Sequence, residues 1–574
     1  MRLVSTVAAL PNLSSRSRDA LRSRDVSRSR NAAAAATLVA FISFATAALG
    51  QPTVPAPAPS TSASPAPVPA PLQLAKTHLQ LNPKATTEIA ISGGLPPYTV
   101  VLSAPVAEAT IDAARATLSL RALATGSATL SVSDAAGATV VASVLVAPNA
   151  GFVPSDVSVA LLGAPGPDFI AAQIRAALQR ALRPLPGARI VLAATPYPEN
   201  LRPGERLDVA VRVHLDGANR YVDVDGIANV HVIANAAPRI EPATLFYSDD
   251  PEKVSADGVL FSGTLSLGRS IRLYYYHQAA VTGRELAILL DSPAGTAQVR
   301  VVGQGAGPNA AVMFVGQSAT FRYLDGRARG AGVTLDVPVG APVELFAGDG
   351  PVQAADLVAG VLDVAVADGD PVRVTVVSVS EGSDLRALLG TGEVPSDGRH
   401  RRGEYDLSKA DPLALAYRVG EAEPPPVSVG GVGGALPNLR PGGHGLAGDY
   451  GLLRPLDFTL ANPTDAAASV YFYEQPIGYP VTTTTYFDGD PAPLRVQCVK
   501  TAGKRYLVRA FGVAPRTTER ITGSYMTDGG STYPLTFGLS PAAPAAPPAT
   551  MTAADGCFPK SAVPAPAPPA PRLP

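Results

Sequence analysis

The residues best suited to acid/base work near neutral pH are the six histidines His78, His214, His231, His277, His400 and His444. They fall in different segments, and His400 and His444 lie in loop-like sequence, so a histidine-centred site would have to draw on His214, His231 or His277. The densest polar grouping is Asp208, Arg212, His214, Tyr221, Asp223 and Asp225, set opposite the alternating apolar face of Leu207, Val209, Val211, Val213 and Leu215. With 216–219 as the hairpin loop, an antiparallel register sets Arg212 opposite Asp223 and His214 opposite Tyr221, as cross-strand pairs on a wet face. A metal site there requires His214 and His231 to converge with a carboxylate. Three acidic turns, Asp223-Val-Asp225-Gly226, Asp368-Gly-Asp370 and Asp488-Gly-Asp490, offer the clustered oxygens calcium needs. Each lacks the downstream bidentate Glu of an EF-hand, and a hairpin tip is the expectation. Tyr274, Tyr275, Tyr276 and His277 can form a ligand platform, but on a strand they alternate between faces, and core packing is expected.

Motifs with specific mechanics are missing from the sequence. It has no G-x-S-x-G elbow, no H-E-x-x-H helix and no phosphate loop. Gly303-Gln-Gly305-Ala-Gly307-Pro308 has the wrong spacing for a dinucleotide loop and reads as a turn between strands. No catalytic residue, cofactor or metal is therefore predicted. The only cysteines, Cys498 and Cys557, cannot form a zinc or C-x-x-C motif. A single disulfide between them is expected, closing a loop of about 60 residues and worth roughly 4 kcal/mol in the chain-entropy model, with two free thiols as the alternative.

A formal net charge of -1, with Lys+Arg 46 against Asp+Glu 47, removes any whole-chain case for nucleic-acid binding. With 53 Gly and 57 Pro the chain is rich in turns and linkers, and its 574 residues suggest three or four domains. The absence of Trp weakens carbohydrate binding on a large aromatic platform, although 18 Tyr can partly substitute.

Seven arginines among the first 31 residues precede the apolar run 32–48, and Ala48 and Gly50 are small residues at the -3 and -1 positions of a cut before Gln51. That order predicts export. An uncut segment would instead remain as a signal anchor, the one route by which the chain would touch a membrane.

The chain divides into a signal peptide with an extended basic region (1–50), a Pro/Ala linker (51–71), a sandwich of short strands (72–148), a small α+β module (149–239), a larger β-sandwich (240–420), a Gly/Pro-rich linker (421–451), a C-terminal sandwich (452–540) and a Pro/Ala-rich tail (541–574). The one predicted helix is capped by Asp168, carries Ile170, Ile174, Leu178 and Leu182 at four-residue spacing, and ends before Pro184. Its other face, with Gln173, Arg175, Gln179, Arg180 and Arg183, reads as solvated, its cations favoured by the helix dipole, rather than as an anion or membrane contact. Residues 311–316 read as a strand.

Gly93-Gly94-Leu95-Pro96-Pro97-Tyr98, together with the stretch from Gly126 through Asp134 to Gly137, resembles the bacterial immunoglobulin-like and PKD-like modules of surface proteins. The resemblance covers 72–148 and implies a spacer or adhesion module without catalytic residues. Phe246 to Pro251, Tyr274 to His277, Asn462 to Asp465 and Tyr471 to Tyr473 resemble segments of exported bacterial proteins of unknown function. The fold expected is mainly β: tandem immunoglobulin-like sandwiches, one small α+β module and Pro/Ala-rich linkers. The function expected is a non-enzymatic exported envelope or secreted protein that is structural, adhesive or scaffolding, with a cell-surface protein or glycan as partner. The alternative is a protein that binds a glycan or peptide, or hydrolyses a substrate, at a site in 240–420, for which a deep pocket of convergent ionisable groups would be the mark.

Overall fold

The computed structural model describes residues 70–193, 200–346, 352–430, 436–446 and 448–551. The expected signal segment, almost all of the first linker, and Cys557 lie outside the described residues. Among the described residues the fold is mainly β, built of sandwiches with two α-helices. No helix among the described residues is long and apolar enough to cross a membrane.

Residues 73–146 form two four-stranded sheets closed over an apolar core that includes Leu79, Ile89, Leu118, Leu130 and Val144. Asp134 ties together the two motifs that carry the immunoglobulin-like resemblance. Its carboxylate accepts from the Leu95 N–H at 2.9 Å and from Ala136 and Ala138 at 3.0 and 2.8 Å. The strand Ala107–Asp112 escapes the sequence reading because Ile111 is the one large residue on its inward face, the others being Ala107 and Ala109.

The next two expected modules are one. An eleven-stranded sheet runs from the edge strand Arg189–Leu192 to the strand Arg402–Asp406, crossing the 239/240 boundary. Asp156–Leu162 pairs in parallel with Val224–Asn235 on one side and antiparallel with Gly332–Val337 on the other. Neither half can bury its apolar face alone, and both feed one core. Helix α1, Pro167–Ala181, covers one face through Ile170, Ile174 and Leu178, each at most 1% exposed. Its N-cap is Gly166 rather than Asp168; Pro167 opens the first turn and Asp168 sits within it, where the helix dipole favours an anion. A four-stranded sheet, of which Gly258–Leu265 and Val372–Ser380 are two strands, covers more of the same face.

Helix α2, Val312–Arg329, replaces the strand expected at 311–316. It is buried on two sides, between the large sheet and the C-terminal sandwich, so it lacks the polar face that marks a surface helix. Gly316 within it reads as a helix breaker but permits contact: a Cβ there would overlap the Gly529 carbonyl oxygen. The Gly303 to Pro308 stretch lies inside the strand Ala297–Asn309 and is not a turn between strands.

The C-terminal sandwich begins before residue 452, because Leu413–Arg418 pairs in parallel with Leu453–Asn462. The intervening 421–451 segment, expected to be a linker, is partly built in. Val427–Val429 joins the Leu535–Ser540 strand, and Leu436 and Leu446 are bridged and buried. Asn438 and Arg440 bond to Arg402, Glu404 and Glu393, covering the far edge of the large sheet.

Candidate functional site

The polar face expected from sequence exists, with different pairs. The strands Arg206–Asp216 and Val224–Asn235 set Asp208 opposite His231, Arg212 opposite Ile227 and His214 opposite Asp225. The register differs from expectation because the hairpin loop is longer. Val222 is drawn off to the backbone of Pro148 and Ala150, while Asp223 accepts from the Gly217 N–H and from Gln80. His231 Nδ1 lies 2.7 Å from Asp208 and its Nε2 3.2 Å from Asp156, and these carboxylates raise its pKa. His214 lies 2.9 Å from Asp225. Six strand positions separate the two histidines' partners, about 20 Å, so His214 and His231 do not converge. The face is exposed, with an open groove of about 450 Å3 along Arg212, His214, Asp225 and Ile227.

His277 is placed oppositely. It is 1% exposed on the strand Ser270–Ala279, with Nε2 2.8 Å from Ser248 Oγ and Nδ1 2.9 Å from the Pro251 carbonyl. A carbonyl only accepts, so Nδ1 carries the proton and Nε2 accepts from Ser248. Burial pushes the ring pKa down to about 4, against the Pro251 bond, and holds it neutral. Tyr274, Tyr275 and Tyr276 are each at most 8% exposed. Tyr275 enters the core under the four-stranded sheet, and Tyr274 and Tyr276 enter the one beneath α2. Tyr274 stacks on Tyr247 with ring centroids 4.8 Å apart. The FYSDDP and YYYH segments therefore meet inside the molecule as paired parallel strands.

The remaining histidines also make local contacts. His78 bonds Ser143 at 2.7 Å; His400 sits between Asp397 and Glu252; His444 offers its carbonyl to Tyr405. Asp368 and Asp370 flank the tight turn at Gly369, whereas Asp488 accepts from Thr522 and Asp490 pairs with Arg509. Cys498 is 3% exposed and packs with Met313 and Met551; Cys557 lies outside the described residues.

Sequence reasoning missed a buried ionic network. Arg272 and Asp363, 3% and 0% exposed, pair at 2.9 Å, and Asp363 also accepts from Tyr323 at 2.8 Å and Arg327 at 3.1 Å. The signal was present: Arg272 and Asp363 are lone charges within apolar strand runs, which require a buried partner. The network clamps α2 onto the large sheet.

Sequence reasoning also missed a cleft of about 480 Å3 between α1, the strand Ala297–Asn309 and α2. Arg175 and Arg180, expected to be solvated, line it with Asp168, Gln304 and Arg322. Burial lowers the pKa of Arg180, opposed by Glu344, whose own carboxyl burial pushes up to about 7.

No family model matches the chain, and no curated protein sequence matches it. Among solved structures, domains 5-6 of the S-layer protein SbsC are 11% identical, covering 29% of this chain and 99% of that one, with a TM-score of 0.13. The insect immune protein hemolin is 8% identical, covering 35% and 63%, with a TM-score of 0.16. SGBP-B of Bacteroides ovatus, solved with a mixed-linkage heptasaccharide, is 9% identical, covering 53% and 74%, with a TM-score of 0.12. At these values the likeness adds nothing to what the sheets themselves establish.

Proposed function

We propose that the chain is an exported, non-enzymatic protein of the bacterial cell envelope, an array of β-sandwiches that acts as a structural, adhesive or scaffolding element. The 72–148 module, of the immunoglobulin-like or PKD-like kind its turns resemble, serves as a spacer that follows the Pro/Ala linker in sequence. The observation that carries this reading is the use made of the residues best suited to chemistry. His277, Ser248 and the three tyrosines are bonded and packed inside the core, while Asp208, His231, Arg212 and Asp225 are displayed on an open sheet face. Such a face suits a surface protein or glycan partner better than a reaction that must exclude water. The Cys498–Cys557 disulfide belongs to the same reading. Met551 packs with Cys498, and the six residues from there to Cys557 can span about 20 Å.

Fractionation of the producing cell tests the reading. The chain should be recovered outside the cytoplasm, beginning at or near Gln51, with a Cys498–Cys557 peptide under non-reducing conditions. Recovery of the intact chain from cytosol alone, with both thiols open to alkylation, would overturn it. A second reading, ligand binding, is favoured by the cleft between α1 and α2.

A further inference from the structure

The cleft has the volume of a small-molecule site and two chemically distinct parts. Its floor is aliphatic, with Ala172, Ala176, Val301, Val333, Leu345 and Leu362 from α1 and four strands. Its polar side carries Arg175, Arg180 and Arg322 against the single carboxylate Asp168. Arg322 already donates to the Gly305 carbonyl at 2.5 Å. Arg175 and Arg180 have no salt-bridge partner within 4 Å among the described residues, Glu344 reaching Arg180 only at longer range. A guanidinium presents a planar fork of donors that fits a carboxylate or phosphate, and partial desolvation strengthens that contact. Gln304 lines the same cleft. An aliphatic floor favours an alkyl body over a sugar face, which stacks on aromatic rings.

We propose that this cleft binds an amphipathic anion, an alkyl carboxylate or alkyl phosphate, with its head on Arg175 and Arg180 and its body against the aliphatic floor. The proposal rests on the ligand-binding reading and adds the ligand class. Because the two arginines occupy α1 and the floor comes largely from the large sheet, the site is complete only when both expected modules fold together.

Isothermal titration of the full exported chain with octanoate and with octyl phosphate tests it, with octanol and inorganic phosphate as the comparison probes. One saturable site is expected for octanoate or octyl phosphate, and the stronger of the two identifies the head group. Octanol and inorganic phosphate should each bind at least tenfold more weakly. The double variant Arg175→Gln/Arg180→Gln should lose at least tenfold. Ala172→Phe, which fills the floor from an incompletely buried helix position, should lose a similar factor with an unchanged melting temperature. Octanol binding as tightly as octanoate would overturn the ligand class and leave ligand binding standing. Absence of saturable binding by all four probes would overturn both. Undiminished binding by a folded double variant would overturn the assignment of the head-group site.

Discussion

The two terminal sandwiches have the same architecture and are joined to the central body in opposite ways. The N-terminal sandwich keeps a core of its own and meets the centre through polar pairs: Gln80 and Asp223 exchange hydrogen bonds at 3.0 and 2.8 Å, and Asn82 donates to Asn149 at 2.6 Å. The C-terminal sandwich shares core with the centre. Met526 and Leu452 lie in one apolar cluster with Tyr274, Tyr276 and Tyr323 of the central body, Gln317 of α2 donates to the Val496 carbonyl at 2.9 Å, and Gly316 abuts Gly529. Half-exposed hydrogen bonds are each worth about 1 kcal/mol, whereas a shared apolar core is worth several times that. One sandwich is therefore joined to the centre by polar contacts beside a core of its own, and the other shares its apolar core with the centre.

Their buried acids carry the same contrast. Asp134 in the N-terminal sandwich accepts three backbone N–H groups, the Leu95 bond foremost, and its pKa is lowered. Its contribution is present above the ordinary carboxylate range and is lost as pH falls. Glu474 in the C-terminal sandwich is 0% exposed, accepts from Thr483, and has a second oxygen buried without a partner; burial raises it to about 8. The unfolded chain releases that proton near 4.5, so it binds fewer protons than the folded chain between 4.5 and 8, and stability falls as pH rises through that window. Glu474→Gln, which stays neutral, should abolish this alkaline loss. At pH 9 the variant should exceed the parent by on the order of 4 kcal/mol in urea unfolding, and an unchanged pH slope would show that Glu474 is not held protonated.

Gly316→Leu attacks the shared core. Overpacking against the Gly529 backbone should cost about 3 kcal/mol and separate the C-terminal sandwich from the centre, read as new proteolytic cleavage between 421 and 451. At the other joint, Gln80→Ala, which removes both hydrogen bonds to Asp223, should cost about 2 kcal/mol at most and leave hydrogen-exchange protection of the central sheet unchanged.

Strands were legible wherever large apolar residues alternate, as in Leu207 to Leu215. Helix α1 was legible because only one face is buried; α2 was not, because burial on two sides and Gly316 erase the helical pattern. The Gly/Pro segment was read as a linker because composition does not show that Leu436, Asn438 and Arg440 each find a partner. The polar face was visible as a set of residues, but its pairs depended on a loop length set by contacts with residues 148–150 and Gln80. The cleft was invisible because its two sides come from segments more than 100 residues apart, joined only by the sheet.

Differential scanning calorimetry of the full chain tests this account of the two joints most directly. Two transitions are expected: one for the N-terminal sandwich, reproduced by residues 72–148 expressed alone, and one larger transition in which the central body and the C-terminal sandwich melt together. A single transition for the whole chain, or an independent third transition for the C-terminal sandwich, would contradict it.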